Sequence, residues 1–213
     1  MTRAKLAGCL LFVAMLTLPA SANSDHIYFE SLKDLQPIGG HFSDFGITFS
    51  SNALVLTSSL AGGIGNFGNN SSGRNVVAFR TGTSMTMNVA GGFSRGFSFF
   101  YSAATQPGVV TIWSGENGTG TKIATINLAK NGSSSCGNGT AFCVWTPVGL
   151  TFDGVAKSVT FGGGAGQIAF DSFSMGREFP SAVPESSSAL LVGIGLIALS
   201  CAGRFRKFLR ARS

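Results

Sequence analysis

Between residues 27 and 175 the chain alternates apolar and polar residues in short segments, which are separated by turns rich in Gly, Asn and Ser. Segments of period two predict half-buried β-strands. No stretch shows the 3.6-residue period of an amphipathic helix. The pattern therefore predicts an all-β fold, and the regular spacing of strands and turns is typical of an antiparallel β-sandwich.

The predicted strands cover residues 27–32, 45–50, 53–57, 75–80, 84–89, 97–101, 109–114, 122–128, 148–152, 155–161 and 167–175. We expect 45–50 to pair with 53–57, and 148–152 to turn at Asp153-Gly154 into 155–161. The sequence GENGTGT after Ser114 is a hairpin signal. Phe100 makes its strand apolar on both faces, which predicts a central position in a sheet.

The last predicted strand breaks the alternation. Ile168 and Phe170 share one face, whereas Phe173 and Met175 fall on the other if the pairing is regular. A β-bulge at Asp171-Ser172 would turn all four apolar side chains inward. Because bulges often lie beside functional sites, Asp171 becomes a candidate functional residue.

Both ends of the chain have the pattern of targeting segments. Arg3 and Lys5 precede an apolar run, and Ala20-Ser21-Ala22 is a small-x-small cleavage site, so residues 1–22 are predicted to be a signal peptide. Near the other end, Val183, Pro184 and Glu185 precede an apolar run over 189–203. That run predicts a single transmembrane helix with its basic end in the cytoplasm. The basic residues that follow it are Arg204, Arg206, Lys207, Arg210 and Arg212.

The charge of the chain depends on these two segments. Of 15 basic residues seven lie in them, and of 9 acidic residues Glu185 does, which leaves 8 basic residues against 8 acidic ones. The basic balance of the whole chain therefore reflects targeting. It does not indicate a nucleic-acid partner, which needs a basic patch on the folded domain.

The four cysteines divide in the same way. Cys9 lies in the signal peptide and Cys201 in the apolar run, so Cys136 and Cys143 remain in the exported domain. A close pair in an exported chain indicates one disulfide. A metal pair or a redox pair is the alternative, although no further Cys or His lies nearby and the spacing is not Cys-x-x-Cys.

The C-terminal pattern resembles the PEP-CTERM sorting signal of Gram-negative, biofilm-forming bacteria. Pro184 and Glu185 match its first two positions, and Ser186 stands where that family usually has a second proline. The resemblance implies export through the Sec machinery and transient anchoring in the inner membrane. It also implies cleavage by a membrane-bound exosortase and delivery to the cell envelope or the extracellular polysaccharide matrix. An ordinary tail anchor is the alternative.

The body of the chain also resembles PEP-CTERM proteins, through segments such as GITFSSNALVLTSS, MTMNVAGGFSRGFSFFYSA and QIAFDSFSMG. That resemblance implies a jelly-roll sandwich similar to galactose-binding and carbohydrate-binding modules. It divides the chain into the signal peptide (1–22), the β-sandwich domain (23–179) and the sorting signal (180–213).

Jelly-roll carbohydrate modules often hold a structural Ca²⁺ between their first and last strands, and this implies Glu30 and Asp171 as the carboxylate ligands here. Calcium takes six to eight oxygen ligands, and no dense acidic loop is present in the sequence. The alternative is that these two carboxylates face solvent or accept hydrogen bonds from turns.

A sugar site needs an aromatic platform with polar neighbours, and Trp113, Tyr101 and Trp145 are the large aromatic residues other than Phe that lie beyond the first strand. The alternative places Trp113 and Tyr101 in the core and Trp145 over the disulfide. The Asn-rich loop over residues 66–75 is a candidate source of hydrogen bonds to sugar hydroxyls.

Catalysis has weak support in the sequence. His26 and His41 are the two histidines, and the sequence His41-Phe42-Ser43-Asp44 contains triad residue types without the geometry that defines a triad. No motif selects two of the carboxylates as a glycosidase pair. The sequence therefore predicts a non-enzymatic exported protein, with glycan binding as one role, a structural matrix role as the alternative, and a glycoside hydrolase as a third.

Overall fold

The computed structural model describes residues 26–132 and 136–176, which form the all-β antiparallel fold that the sequence predicts. Its nine strands are β1 (His26–Ile27), β2 (Ile47–Phe49), β3 (Ala53–Thr57), β4 (Asn75–Phe79), β5 (Ser84–Ala103), β6 (Gly108–Trp113), β7 (Lys122–Leu128), β8 (Thr146–Gly162) and β9 (Ile168–Met175). The predicted signal peptide, the PE motif, the apolar C-terminal run and the basic cluster lie outside the described residues. Within residues 26–132 and 136–176, no helix has the length and apolar character to cross a membrane.

The strands form two layers that share β5 and β8. Sheet I has the order β2, the first half of β5, the second half of β8, β6 and β7. Sheet II has the order β3, β4, β9, the second half of β5 and the first half of β8, and β1 also pairs with β9. The inward side chains of both sheets belong to one buried cluster, so the architecture is a β-sandwich.

The two shared strands correct the predicted strand list. Residues 84–89 and 97–101 belong to one strand, β5, and Asp153-Gly154 lies inside β8 instead of forming a hairpin turn. The register of β5 on β8 shifts between Asn88 and Phe93 and again before Arg95. Bulges bend a strand sharply, and here they lie where both strands pass from sheet I to sheet II.

Two further predictions are wrong. Strand β1 ends at Ile27, so residues 28–32 form turns instead of a first strand. Strand β2 pairs with β5, and β3 pairs with β4, so the predicted pairing of 45–50 with 53–57 does not form. Alternation predicted the strands themselves, but it contains no information about which strands pair when two similar partners are available.

The predicted bulge in the last strand is confirmed. The register of β5 on β9 shifts between Ser98 and Phe100, and Ser172 adopts a left-handed φ of 54°. Because of this shift, four apolar side chains of β9 all point into the common core. These are Ile168, Phe170, Phe173 and Met175. Asp171 consequently points to the opposite, outer side of sheet II, where it is fully buried.

Candidate functional site

The outer face of sheet I carries a line of hydroxyl side chains that crosses all five strands. Strand pairing aligns Thr86 of β5 with Thr160 of β8, Thr160 with Thr111 of β6, and Thr111 with Thr125 of β7. Ser50, just after β2, extends the line because its backbone N–H donates to the Thr86 carbonyl. We call these five residues the hydroxyl row.

Each threonine of the row stands between two residues that face or pack against the core, such as Met85 and Met87 around Thr86. Because side chains alternate across a strand, burying the two neighbours fixes the threonine on the outer face. The row is thus a consequence of the same alternation that builds the sandwich.

Trp113 lies at the end of β6, in the line of residues next to the hydroxyl row. Its indole Nε1 donates to the Thr160 hydroxyl at 3.0 Å, so the side chain reaches from β6 across to β8. Trp113 is half-buried. Of the three predicted sugar platforms, it is the one on an outer sheet face beside a line of hydroxyls.

The hairpin loop between β6 and β7 folds back over the outer face beside Trp113. The Asn117 N–H donates to Asn88 Oδ1 at 2.7 Å, Asn88 Nδ2 donates to Asn117 Oδ1 at 2.9 Å, and the Gly118 N–H donates to the Ser158 hydroxyl at 3.0 Å. Gly118 has a φ of 71°, and a Cβ there would meet Thr160 Cγ2 at 2.8 Å. The loop therefore forms a wall along one side of the hydroxyl row.

Tyr101 and Trp145 do not share this position. Tyr101 is 4 % exposed in the core, where its hydroxyl donates to the Ala129 carbonyl at 3.0 Å and burial raises the pKa of the phenol. Trp145 is half-buried, donates to the Gly68 carbonyl at 2.9 Å and packs edge-on against Phe67. Tyr101 thus matches the alternative interpretation that packs it in the core, whereas the recorded contacts of Trp145 are with the Gly/Asn loop.

The outer face of sheet II is covered by two loops. The predicted disulfide forms between Cys136 and Cys143. Its loop pairs with the Gly/Asn loop through the Gly68 N–H, which donates to the Phe142 carbonyl at 2.9 Å, and through a bridge from Phe142 to Phe67. Beneath them lies a cavity of ≈ 30 Å³, lined mainly by apolar side chains.

Asp171 holds the Gly/Asn loop on the same face. Its carboxylate accepts hydrogen bonds from the Ser72 N–H and the Ser71 hydroxyl, both at 2.8 Å, and from the Ser72 hydroxyl and Asn70 Nδ2. Burial raises the pKa of the Asp171 carboxyl above its ordinary value, although these four hydrogen bonds act in the opposite direction. Removal from water is the larger effect because no cation pairs with the carboxylate among its recorded partners.

Glu30 binds the next residues of the same loop. Its carboxylate accepts from the backbone N–H groups of Arg74 at 3.0 Å and Asn75 at 2.9 Å. Gly73 has a φ of 57°, and a Cβ there would lie 2.5 Å from the Glu30 carboxyl carbon. Glycine is therefore required for this close approach.

The predicted calcium ligands thus have hydrogen-bond partners of their own. Both carboxylates accept from N–H groups, which cannot serve as ligands for a cation. Within the described ranges, no group of three or more His, Cys, Asp or Glu side chains is placed to hold a metal ion. The hydrogen-bonded alternative describes this geometry, and calcium binding stays a prediction.

The recorded contacts of the two histidines do not form a catalytic triad. His26 Nδ1 and the Ser174 hydroxyl are 2.8 Å apart, and His41 Nε2 and the Ser31 hydroxyl are 3.1 Å apart. Asp34 accepts from the backbone N–H groups of Thr57 and Ile64. The first pair joins β1 to β9, the second joins two turns, and Asp34 fastens its turn to β3 and to the loop that follows.

Sequence reasoning selected Trp113 but missed the hydroxyl row. The signal was present, since VTI, ATI and VTF around Thr111, Thr125 and Thr160 repeat the same apolar-Thr-apolar pattern as MTM around Thr86. The pattern does not contain the register in which the strands pair. Only the pairing of four strands shows that these threonines are neighbours.

No family model matches the chain, and no curated protein matches it. Among solved structures, the chain is similar to a family 6 carbohydrate-binding module at 14% identity, with 72% of this chain and 94% of that chain covered and a TM-score of 0.39. It is similar to a family 61 module solved with β-1,4-galactotriose at 15% identity, 69% and 100% coverage and a TM-score of 0.38. A module of Cellvibrio mixtus lichenase 5A solved with cellotriose has 14% identity, 60% and 88% coverage and a TM-score of 0.37.

Proposed function

We infer that this chain is a non-enzymatic exported protein that binds glycan on the outer face of sheet I. The observation that supports this most directly is the combination of half-buried Trp113 with the uncharged hydroxyl row beside it. Sugar sites pair an aromatic or apolar surface with a few polar groups that fix orientation. Tyr101 and Trp145 lack such a row.

The chemistry of the face suits sugar hydroxyls. Thr86 and Thr160 are half-buried, Thr125 is exposed and Thr111 is buried, so three of the four threonines present hydroxyl and methyl groups at the surface. Hydroxyls both donate and accept hydrogen bonds, which matches a ligand whose own groups do the same. Side chains of this kind do not supply an acid or a base for hydrolysis.

Replacing Trp113 by Ala is expected to weaken glycan binding about tenfold or more, which corresponds to about 1.4 kcal/mol. The variant removes both the aromatic surface and the hydrogen bond to Thr160. The measurement is affinity electrophoresis of the detergent-solubilised full chain in gels that contain mixed-linkage β-glucan, xylan, galactan or alginate.

Phe45→Ala is the matched control, because Phe45 is 77% exposed and lies in a turn away from the row. We expect it to bind as the wild type does. Equal retardation of wild type and Trp113→Ala in every gel would place glycan binding elsewhere or exclude it for this panel.

Delivery is the second part of the proposal. We propose that residues 1–22 direct Sec export, that the PE motif with its apolar run and basic cluster is a PEP-CTERM signal processed by an exosortase, and that the protein reaches the envelope or the polysaccharide matrix. The disulfide between Cys136 and Cys143 supports an oxidising compartment outside the cytoplasm.

Calcium remains a separate hypothesis. An ion bound by Glu30 and Asp171 in the folded state would raise stability with calcium concentration. The hypothesis expects the full chain to unfold at a higher temperature in excess calcium than in EDTA, and Glu30→Gln to reduce the difference. Equal unfolding temperatures in calcium and EDTA would contradict it.

A structural matrix role is the alternative, and the strand edges favour it. In the described part of the chain, β7 pairs only with β6, and residues 146–152 of β8 pair only with β5. Each strand has an edge that another chain could extend. Concentration-dependent self-association without glycan binding would favour this role.

A further inference from the structure

The hydroxyl row has a direction, and this direction constrains the ligand. Neighbouring strands lie about 4.8 Å apart, so the five aligned residues from Ser50 to Thr125 extend over roughly 19 Å across the sheet. The row therefore runs perpendicular to the strands and is longer than a single sugar ring.

The hydroxyls of the row are not all used within the protein. Ser50 donates to Asn52 Oδ1, and Thr160 accepts from Trp113 and donates to the Thr111 carbonyl. Within residues 26–132 and 136–176, no side-chain hydrogen bond is recorded for Thr86, Thr111 or Thr125. Thr111 is 8% exposed, so the accessible hydroxyls of this set are those of half-buried Thr86 and exposed Thr125.

A loop bounds one side of the hydroxyl row, and Gly162 with its neighbours on the adjacent strands bounds the other side. The loop over Gly115–Gly118 bonds Asn88 and Ser158, and thereby occupies the line of residues next to the row on that side. On the opposite flank, Gly162 has no side chain and pairs with Ser84 and Val109. The wall on one side, with Gly162, Ser84 and the exposed Val109 on the other, defines a groove parallel to the row.

The hydroxyl row itself is uncharged, and the loop that forms its wall carries one charged side chain, the exposed Glu116. The aligned residues that flank the row on β5, β8 and β6 are Ser84, Asn88, Ser158, Gly162, Val109 and Trp113. Lys122 is the charged residue at its β7 end, where the register with Trp113 shifts. A carboxylated or sulfated chain would lose hydration along the row, where Glu116 repels it and only Lys122 of the aligned residues offers a counter-charge, whereas a neutral chain carries no charge to desolvate.

We propose that the groove binds an internal stretch of a neutral, linear polysaccharide, which runs along the hydroxyl row and across the strands of sheet I. Consecutive sugar units contact Thr86 at one end of the row and Thr125 at the other, with Trp113 at the wall. This assignment of ligand class and orientation rests on the proposed glycan-binding function of the same face.

The test is the double variant Thr86→Val and Thr125→Val, which keeps the shape of both side chains and removes the two accessible hydroxyls. We expect the full chain with these changes to bind mixed-linkage β-glucan, xylan or galactan about tenfold or more weakly, since each hydrogen bond contributes modestly and the effects combine. We expect wild-type affinity to rise with oligosaccharide length and alginate to bind weakly in comparison. Thr151→Val, an exposed threonine of β8 in sheet II, is the matched control that should change nothing.

The outcomes separate this proposal from the proposed function. If Trp113→Ala abolishes binding and the double valine variant binds normally, the face binds glycan but the row does not guide it, and the proposal is wrong. Equal affinity for short and long oligosaccharides, or preference for alginate, also overturns it while glycan binding stands. If no polysaccharide of the panel binds, this proposal and the proposed glycan-binding function are both wrong. Unfolding temperatures near the wild-type value for the valine variants show that the fold is intact.

Discussion

Phe173→Ala is expected to destabilise the protein by about 3–5 kcal/mol, the usual cost of removing a buried phenylalanine from a core. Phe173 is fully buried at the centre of the sandwich. Its ring lies within 4.9–6.3 Å of five other aromatic rings, which are Phe29, Phe49, Phe97, Phe99 and Phe161. Removing it leaves a cavity between the two sheets, which rigid neighbouring strands cannot close.

The measurement is urea unfolding of the full chain followed by fluorescence, together with the unfolding temperature, which should fall by roughly 10 °C. Phe45→Ala is again the matched control, because Phe45 is exposed and should change stability by less than about 0.5 kcal/mol. A loss from Phe173→Ala as small as the loss from the control would mean that this ring is not a central part of the core.

Phe173 also shows what the sequence could predict. Its position relative to Phe170 broke the alternation, and a bulge was the change that restored an inward position. The prediction succeeded because the evidence was local, being contained in eight consecutive residues. The hairpin of β6 and β7 was predictable for the same reason.

The errors have a common physical cause. Gly91-Gly92 and Asp153-Gly154 have turn composition, but they lie in β5 and β8, and Phe93 pairs with Ala156 between them. Glycine permits a tight turn and a bulge equally well, so tertiary pairing decides between the two. The hydroxyl row depends on pairing among strands that are far apart in sequence, and could not be predicted without it.

Asp171 illustrates the same limit at a single residue. The sequence selected Asp171 because of the predicted bulge. In the structure its carboxylate holds a loop in place by hydrogen bonds. Its carboxylate fastens Asn70, Ser71 and Ser72 to β9. The family resemblance suggested a metal ligand, whereas hydrogen-bond geometry alone accounts for a buried carboxylate here.

Asp171→Ala is therefore expected to cost about 3 kcal/mol of stability, because each buried donor left without an acceptor costs about 1–3 kcal/mol. The Ser72 N–H and hydroxyl lose their recorded acceptor, while Ser71 keeps the Ser172 hydroxyl at 2.9 Å. Urea unfolding measures the loss, and hydrogen exchange at Ser72 should become faster. Asp34→Ala is the control: Asp34 also accepts two loop N–H groups but is partly exposed, so water can replace it and the loss should be smaller.

Asp171→Asn separates the charge from the hydrogen bonds, and its effect should depend on pH. Burial raises the folded-state pKa of Asp171 above its ordinary value of 3.8. The stability contributed by the neutral carboxyl is thus fully present below that value and is lost as pH rises through the folded-state pKa. Asparagine does not titrate, so between about pH 3 and pH 8 the wild type should lose stability relative to Asp171→Asn as pH rises. Urea unfolding of both proteins in matched buffers cancels the titration of distant groups. If the wild type instead gains stability relative to the variant as pH rises, the hydrogen bonds from Ser71 and Ser72 outweigh desolvation and hold the carboxylate ionised.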